Sequence, residues 1–337
     1  MDNKSLEFCN FCKTILMLSV VLCHCCAFFG GNWFNVLKLN HIVSPLSLIS
    51  SWLGTFHVSC FTLISGYIYY HVRYEKTGYS TVWIFIKKKA IRLLLPYIAV
   101  CMVWILPINI IFYEPSFNTL ITNFALGVSP SQNWFLLMLF FVSVISYFVS
   151  DYFIKHKAFS VIALLCFFIV GVLGGKYLTN YFQIYTAFRY ILFFWIGVFM
   201  RHFHLKFHSK YTIFAGCAMV LMNMILFYLY QSDFCTKYTY LITYLCNIWG
   251  TIGIFVILQN IASNINCNEG FLHYFKKYNF QIYLFHQQII YIVLWLLYDE
   301  ISPYVLVIIS FILSTSIACM MGQILKKYRF TKLLFGL

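Results

Sequence analysis

Residues 11–29 read FCKTILMLSVVLCHCCAFF. A run of about 18 or more mostly apolar residues spans a hydrocarbon core of about 30 Å as one helix. Helix is the form that satisfies every backbone polar group without help from a neighbour. This stretch therefore reads as a membrane span, with Lys13 near its start and His24 near its end. An imidazole at membrane depth costs free energy, so His24 is either a polar residue satisfied between packed helices or part of a functional site.

The rest of the chain has the same character. Of its 337 residues 62% are hydrophobic and 9% charged, a balance that leaves too little polar surface for a water-soluble globule. Apolar windows of spanning length recur at about 12–29, 46–70, 93–113, 133–150, 158–175, 183–200, 211–230, 240–261, 279–298 and 302–325. The fold class expected is all-α, a polytopic transmembrane bundle of about ten helices. Connections are short and no soluble domain or internal repeat is visible, so residues 1–337 read as one integral-membrane domain. No small-residue cleavage site follows the first span, which is expected to be retained. Pro107 and the pair Gly174 and Gly175 are candidate kinks or close-packing points.

A net charge of +14 would suit nucleic acid, but the charges fall in short tracts between spans, which excludes a single basic face. Alternate connections hold them unequally. One side carries 19 of the 23 basic residues, including Lys13, Lys87 to Lys89, Arg92, Lys206 and Lys332. The other carries Lys38, Lys176 and Lys237, and Arg189 lies within a span. This asymmetry predicts cytoplasmic termini. The 13 cysteines lie mostly inside apolar spans and behave as small hydrophobes. Cys23, His24, Cys25 and Cys26 are consecutive on a helix and point about 100° apart, so no metal site is expected.

Several spans carry polar groups to depth. At about 1.5 Å per residue His24 sits roughly 18 Å above the start of its span, in the outer half. Arg189 is about 9 Å below the outer face, His57 near mid-depth and Asn247 in the outer half. Arg189 cannot shed its proton, and snorkelling is its bland explanation. His286, Gln287 and Gln288 in 278–290 (YNFQIYLFHQQII) are expected in the inner half. At the mouth of the third span, 85–97 (FIKKKAIRLLLPY) places Lys89 and Arg92 three apart on one face, a spacing that can hold phosphate oxygens. Cations at one end and an imidazole deep inside suit either an enzyme or a transporter.

Five segments in chain order resemble the membrane-bound acyltransferase family 3, the O-acetyltransferases of bacterial surface polysaccharides. They are KTILMLSVVLCH (13–24), FHVSCFTLISGYIYY (56–70), FIKKKAIRLLLPY (85–97), QNWFLLMLFFVS (132–143) and YNFQIYLFHQQII (278–290). The resemblance implies transfer of an acyl group, usually acetyl, from cytoplasmic acetyl-CoA to a hydroxyl of a glycan or lipid-linked sugar. The coenzyme would be a co-substrate, with no tightly bound cofactor. His24 would be catalytic, and Lys89 with Arg92 would hold the coenzyme at its entry. On their own chemistry, Arg189 or Asn247 could stabilise the oxyanion and Lys13 could add weakly to the coenzyme grip. His286 would pack against the coenzyme or bond a neighbouring helix, and His57 and Trp134 would line the acceptor path. A bacterial inner-membrane location and contact with polysaccharide assembly enzymes and lipids would follow. Lys13 and Lys89 stand where the family usually has arginine, and Asn10 where it often has an acid, so the partner that orients His24 is not evident.

Two other classes remain in view. A transporter or flippase would show inverted repeats, broken spans and a deep acidic coupling residue. A glycan polymerase or glycosyltransferase would need long outer loops, whereas these are short.

Overall fold

The third expected span begins well before its apolar boundary because its first turns carry lysines, and two prolines shape its course. In a computed structural model the helix starts at Val82 and the spanning stretch runs Val82–Tyr113, not 93–113. It is broken by π-turns at Ala90–Leu94 and Cys101–Ile105. Pro96 and Pro107 follow closely on these turns. Proline lacks an N–H and its ring clashes with the carbonyl four residues back; a wider turn just before it relieves that clash. Lys87 to Lys89 and Arg92 therefore lie within a continuous irregular rod rather than in a loop.

The structure describes residues 2–31, 33–205, 207, 209–232, 239–264 and 271–337, with side chains undescribed at 2–6, 264 and 271–273. Lys206, His208 and Lys237 lie outside the described residues. Helices follow in the order α1 (Asp2–Ala27), α2 (Ser44–Gly54), α3 (His57–Tyr70), α4 (Val82–Lys89) and α5 (Leu95–Val100). Next come α6 (Leu106–Tyr113), α7 (Phe117–Leu120), α8 (Trp134–Lys155), α9 (Lys157–Tyr177) and α10 (Ile184–His202). The series ends with α11 (Lys210–Gln231), α12 (Thr239–Asn264), α13 (Phe271–Leu297), α14 (Pro303–Leu325) and α15 (Arg329–Leu334). No strand occurs among the described residues. Ten of the described helical stretches are long and apolar enough to cross a membrane, so the chain is an all-α polytopic bundle.

The chain forms two compact units. The first comprises Met1–Ile64 and His204–Met320. In it α11 and α12 approach closely through small residues: a Cβ on Gly253 would stand 3.0 Å from the Gly216 carbonyl oxygen. Asn223 on α11 joins three segments. It accepts from Trp52 Nε1 at 2.9 Å and donates to Thr55 Oγ1 at 3.1 Å and to the Cys246 carbonyl at 2.9 Å. This amide stitches the break between α2 and α3 to α11 and α12. Such bonds matter in a bundle whose exterior is as apolar as its interior.

The second unit comprises Ser65–Phe203 and Met321–Leu337. Here α3 meets α10 at Gly66, where a Cβ would fall 1.9 Å from the Phe194 carbonyl oxygen. Only glycine permits that approach. Gly174 of α9 lies against the Tyr185 ring, which a Cβ there would meet at 2.2 Å, whereas a Cβ at Gly175 meets nothing closer than 3.9 Å. One end of this unit is clasped by ion pairs. Arg201 reaches both Glu75 oxygens, at 2.6 and 2.7 Å, and Tyr67 Oη at 2.9 Å. Arg73 bonds Asp151 at 2.9 Å and Tyr69 Oη at 2.6 Å.

Candidate active site

In the first unit α1 and α13 run parallel and touch at two levels. Near the start of the contact, Asn279 Nδ2 donates to Thr14 Oγ1 at 3.3 Å. Farther along, His24 Nδ1 lies 2.9 Å from His286 Nε2. The two imidazoles are nearly coplanar, 7° apart with centroids 5.0 Å from each other, which is the geometry of an in-plane hydrogen bond.

The surroundings of His286 set the proton positions. Its Nδ1 lies 2.8 Å from the Ile282 carbonyl oxygen and 2.9 Å from that of Tyr283. Carbonyls only accept, so Nδ1 carries the hydrogen, and in the neutral ring Nε2 is then an acceptor. His24 must donate to it from Nδ1. That leaves the lone pair of His24 on Nε2, with no partner among the described residues. His286 is fully buried, whereas His24 is only half-buried.

Aromatic rings close the other sides. Trp33 stacks on His24 at 5.5 Å and packs against Tyr291 at 4.8 Å; Phe34 stacks on Tyr291 at 4.3 Å. Gln287 Nε2 donates to Tyr291 Oη at 2.5 Å. The thiol of Cys23 donates to the Ser50 carbonyl at 3.3 Å, which turns it toward α2 and away from the imidazole pair. His57 is buried and donates from Nδ1 to the Leu53 carbonyl at 2.6 Å, so its Nε2 also keeps a lone pair. It is near enough to His24 and His286 to interact with both electrostatically. Among the described residues no three His, Cys, Asp or Glu side chains gather as a metal site.

His286 stands at the level of His24, whereas counting from residue 279 set the two at different depths. Its helix begins at Phe271, because apolarity alone leaves out the turn bearing Lys276 and Lys277. The added length lifts His286 to the level of His24. Asn247 serves the same framework: in the orientation that satisfies its amide, nitrogen donates to the carbonyls of Thr243 at 3.0 Å and Thr55 at 2.9 Å. Lys13 is half-buried on α1 and Asn10 is exposed. Neither is the residue bonded to the His24 ring.

In the second unit Lys88, Lys89 and Arg92 line a cavity of about 410 Å³ together with Tyr79 and Lys332. Lys88 Nζ donates to the Gly78 carbonyl at 3.0 Å, and Lys89 Nζ lies 5.7 Å from the Phe85 ring centre. Burial raises the Tyr79 phenol above its ordinary value, against the pull of nearby Arg92, so this wall of the cavity is uncharged at neutral pH. Trp134 begins α8, half-buried against Tyr190 at 5.9 Å. Arg189 on α10 is exposed, and its backbone nitrogen and Cγ abut Gly171 of α9.

Paired imidazoles inside apolar helices and a separate cation-lined cavity are thus features of a multi-pass membrane protein. The comparison of families makes the class specific: an acyltransferase domain matches residues 6–322. The chain belongs to this family, acyltransferase family 3, and is a membrane acyltransferase. Comparisons with curated proteins and with solved structures gave no match.

Proposed function

We propose that the protein moves an acyl group, acetyl in the simplest case, from cytoplasmic acyl-CoA to a hydroxyl of a surface or lipid-linked glycan. The observation that carries this reading is the His24–His286 bond, which leaves a neutral imidazole with its basic nitrogen open. A neutral histidine is the side chain best suited to take a hydroxyl proton near neutral pH.

In this mechanism the acceptor hydroxyl gives its proton to His24 Nε2 as its oxygen attacks the thioester carbonyl. The C–O bond forms, the C–S bond breaks, and the coenzyme sulfur takes the proton back from His24. The products are an ester and free coenzyme. His286 holds the His24 ring and favours the proton on its Nδ1, and the carbonyls of Ile282 and Tyr283 hold His286 in turn. The cations Lys89 and Arg92 take the coenzyme phosphates. Of the oxyanion candidates, the Asn247 amide is already engaged by two carbonyls. His57 belongs to the acceptor path, where aromatic rings such as Trp33 suit a sugar face. The orientation that supplies coenzyme from the basic side is the one the charge asymmetry favours, with both termini in the cytoplasm of a bacterial inner membrane.

The experiment is mass spectrometry of surface glycans from cells with the protein, without it, and with Arg92→Ala. Acyl-bearing sugars that disappear without the protein and diminish in the variant support the proposal. Identical glycans in all three overturn it.

A further inference from the structure

The matched acyltransferase domain ends at residue 322, yet the cation-lined cavity of the second unit is completed by Lys332, Leu333, Gly336 and Leu337 beyond it. Lys332 lies on α15, a short helix whose Thr331 hydroxyl donates to the carbonyls of Leu325 and Tyr328. Phe335 is buried just after it and fixes the segment. Lys332 thus joins Lys88, Lys89 and Arg92 around one volume of about 410 Å³, within the range of about 300–1,000 Å³ that takes a small ligand. Neither Arg92 nor Lys332 forms a salt bridge among the described residues.

Charge arithmetic asks for more than a pair of cations. A phosphomonoester alone carries about −1.5 to −2 at neutral pH, and the nucleotide end of coenzyme A holds one such group and a diphosphate. Lys89 and Arg92 cannot neutralise three phosphates, and Lys88 already gives a hydrogen bond to the Gly78 carbonyl. We propose that Lys332 is a phosphate-binding residue of the donor site, so that the chain after the matched domain is part of the acyl-CoA nucleotide pocket. This assignment rests on the acyl-CoA reading above.

Calorimetry of coenzyme A binding to the full chain in nanodiscs of neutral lipid tests it. Lys332→Gln is expected to weaken binding about tenfold, the scale of one charge-assisted contact. Lys332→Arg should stay within about twofold of the unaltered protein, and adenosine 3′,5′-bisphosphate should show the same order. Unchanged affinity in Lys332→Gln, at a melting temperature equal to that of the unaltered chain, overturns the proposal. So does a loss in Lys332→Gln that arginine fails to restore, which would indicate a structural role. A difference that appears only when the discs contain anionic lipid would assign the lysine to a headgroup instead. If the unaltered protein takes up no coenzyme A, the acyl-CoA reading itself falls; if it does and Lys332→Gln binds equally, only this assignment falls.

Discussion

His24 Nδ1 and His286 Nε2 stand 2.9 Å apart across 262 residues of sequence. Because His286 Nδ1 is held by two carbonyls, the pair has one neutral arrangement of protons, and it presents His24 Nε2 as the base. His286 is thus a positioning residue. Replacing it with Ala should lower kcat by about 10²-fold, within the range attributed to oriented acid–base groups. His286→Gln keeps an amide oxygen to accept from His24 Nδ1 and should recover part of that loss. KM for the donor should move little. Equal kcat in His286→Ala and the unaltered enzyme would remove His286 from the mechanism.

Gly66→Ala should destabilise the chain by about 3 kcal/mol, the upper part of the overpacking range. The added methyl would meet the Phe194 carbonyl oxygen, which is backbone and cannot swing aside. Thermal unfolding in detergent reads the effect, and Gly175→Ala, where the space is open, serves as the comparison that should melt near the unaltered chain.

Asn223→Ala removes an acceptor from Trp52 and a donor from the Thr55 hydroxyl and the Cys246 carbonyl. Groups left unsatisfied inside a protein cost about 1–3 kcal/mol each. A fall in stability of roughly 2 kcal/mol or more is expected on those grounds. A melting temperature that does not change would show that the α2–α3 break does not depend on this amide.

Arg201 and Glu75 have side chains 15% and 25% exposed, so their ion pair is only weakly screened. Glu75→Gln should cost about 1–2 kcal/mol, less than a fully buried pair because some solvent remains. A double-mutant cycle with Arg201→Met separates this pair from the bond Arg201 also makes to Tyr67. A coupling energy near zero would mean the clasp adds nothing.

Much of this architecture is legible in the sequence because membrane spans announce themselves by composition. Ten apolar windows correspond to ten helical stretches of spanning length. Boundaries are less legible where a helix continues through charge. Val82–Lys89 and the first turns of α13 carry lysines, so an apolarity criterion starts both spans late. That delay alone misplaces His286 by depth and hides its bond to His24. His24 stands out because an imidazole inside an apolar run is costly, whereas its partner could be read only from depth, and depth depends on the true helix start. Lys332 offers no local signal at all, since basic residues beside a span ordinarily mark topology. Its place at the cavity follows from how α15 folds back in the second unit.

The role of His24 as the base for acyl transfer is tested most directly by following labelled acetyl from acetyl-CoA into a glycan fraction. The membranes compared hold equal amounts of the unaltered protein or His24→Ala. A loss of at least about 10²-fold is predicted in the variant, with unchanged insertion and melting. Transfer by His24→Ala at the rate of the unaltered protein would contradict that role.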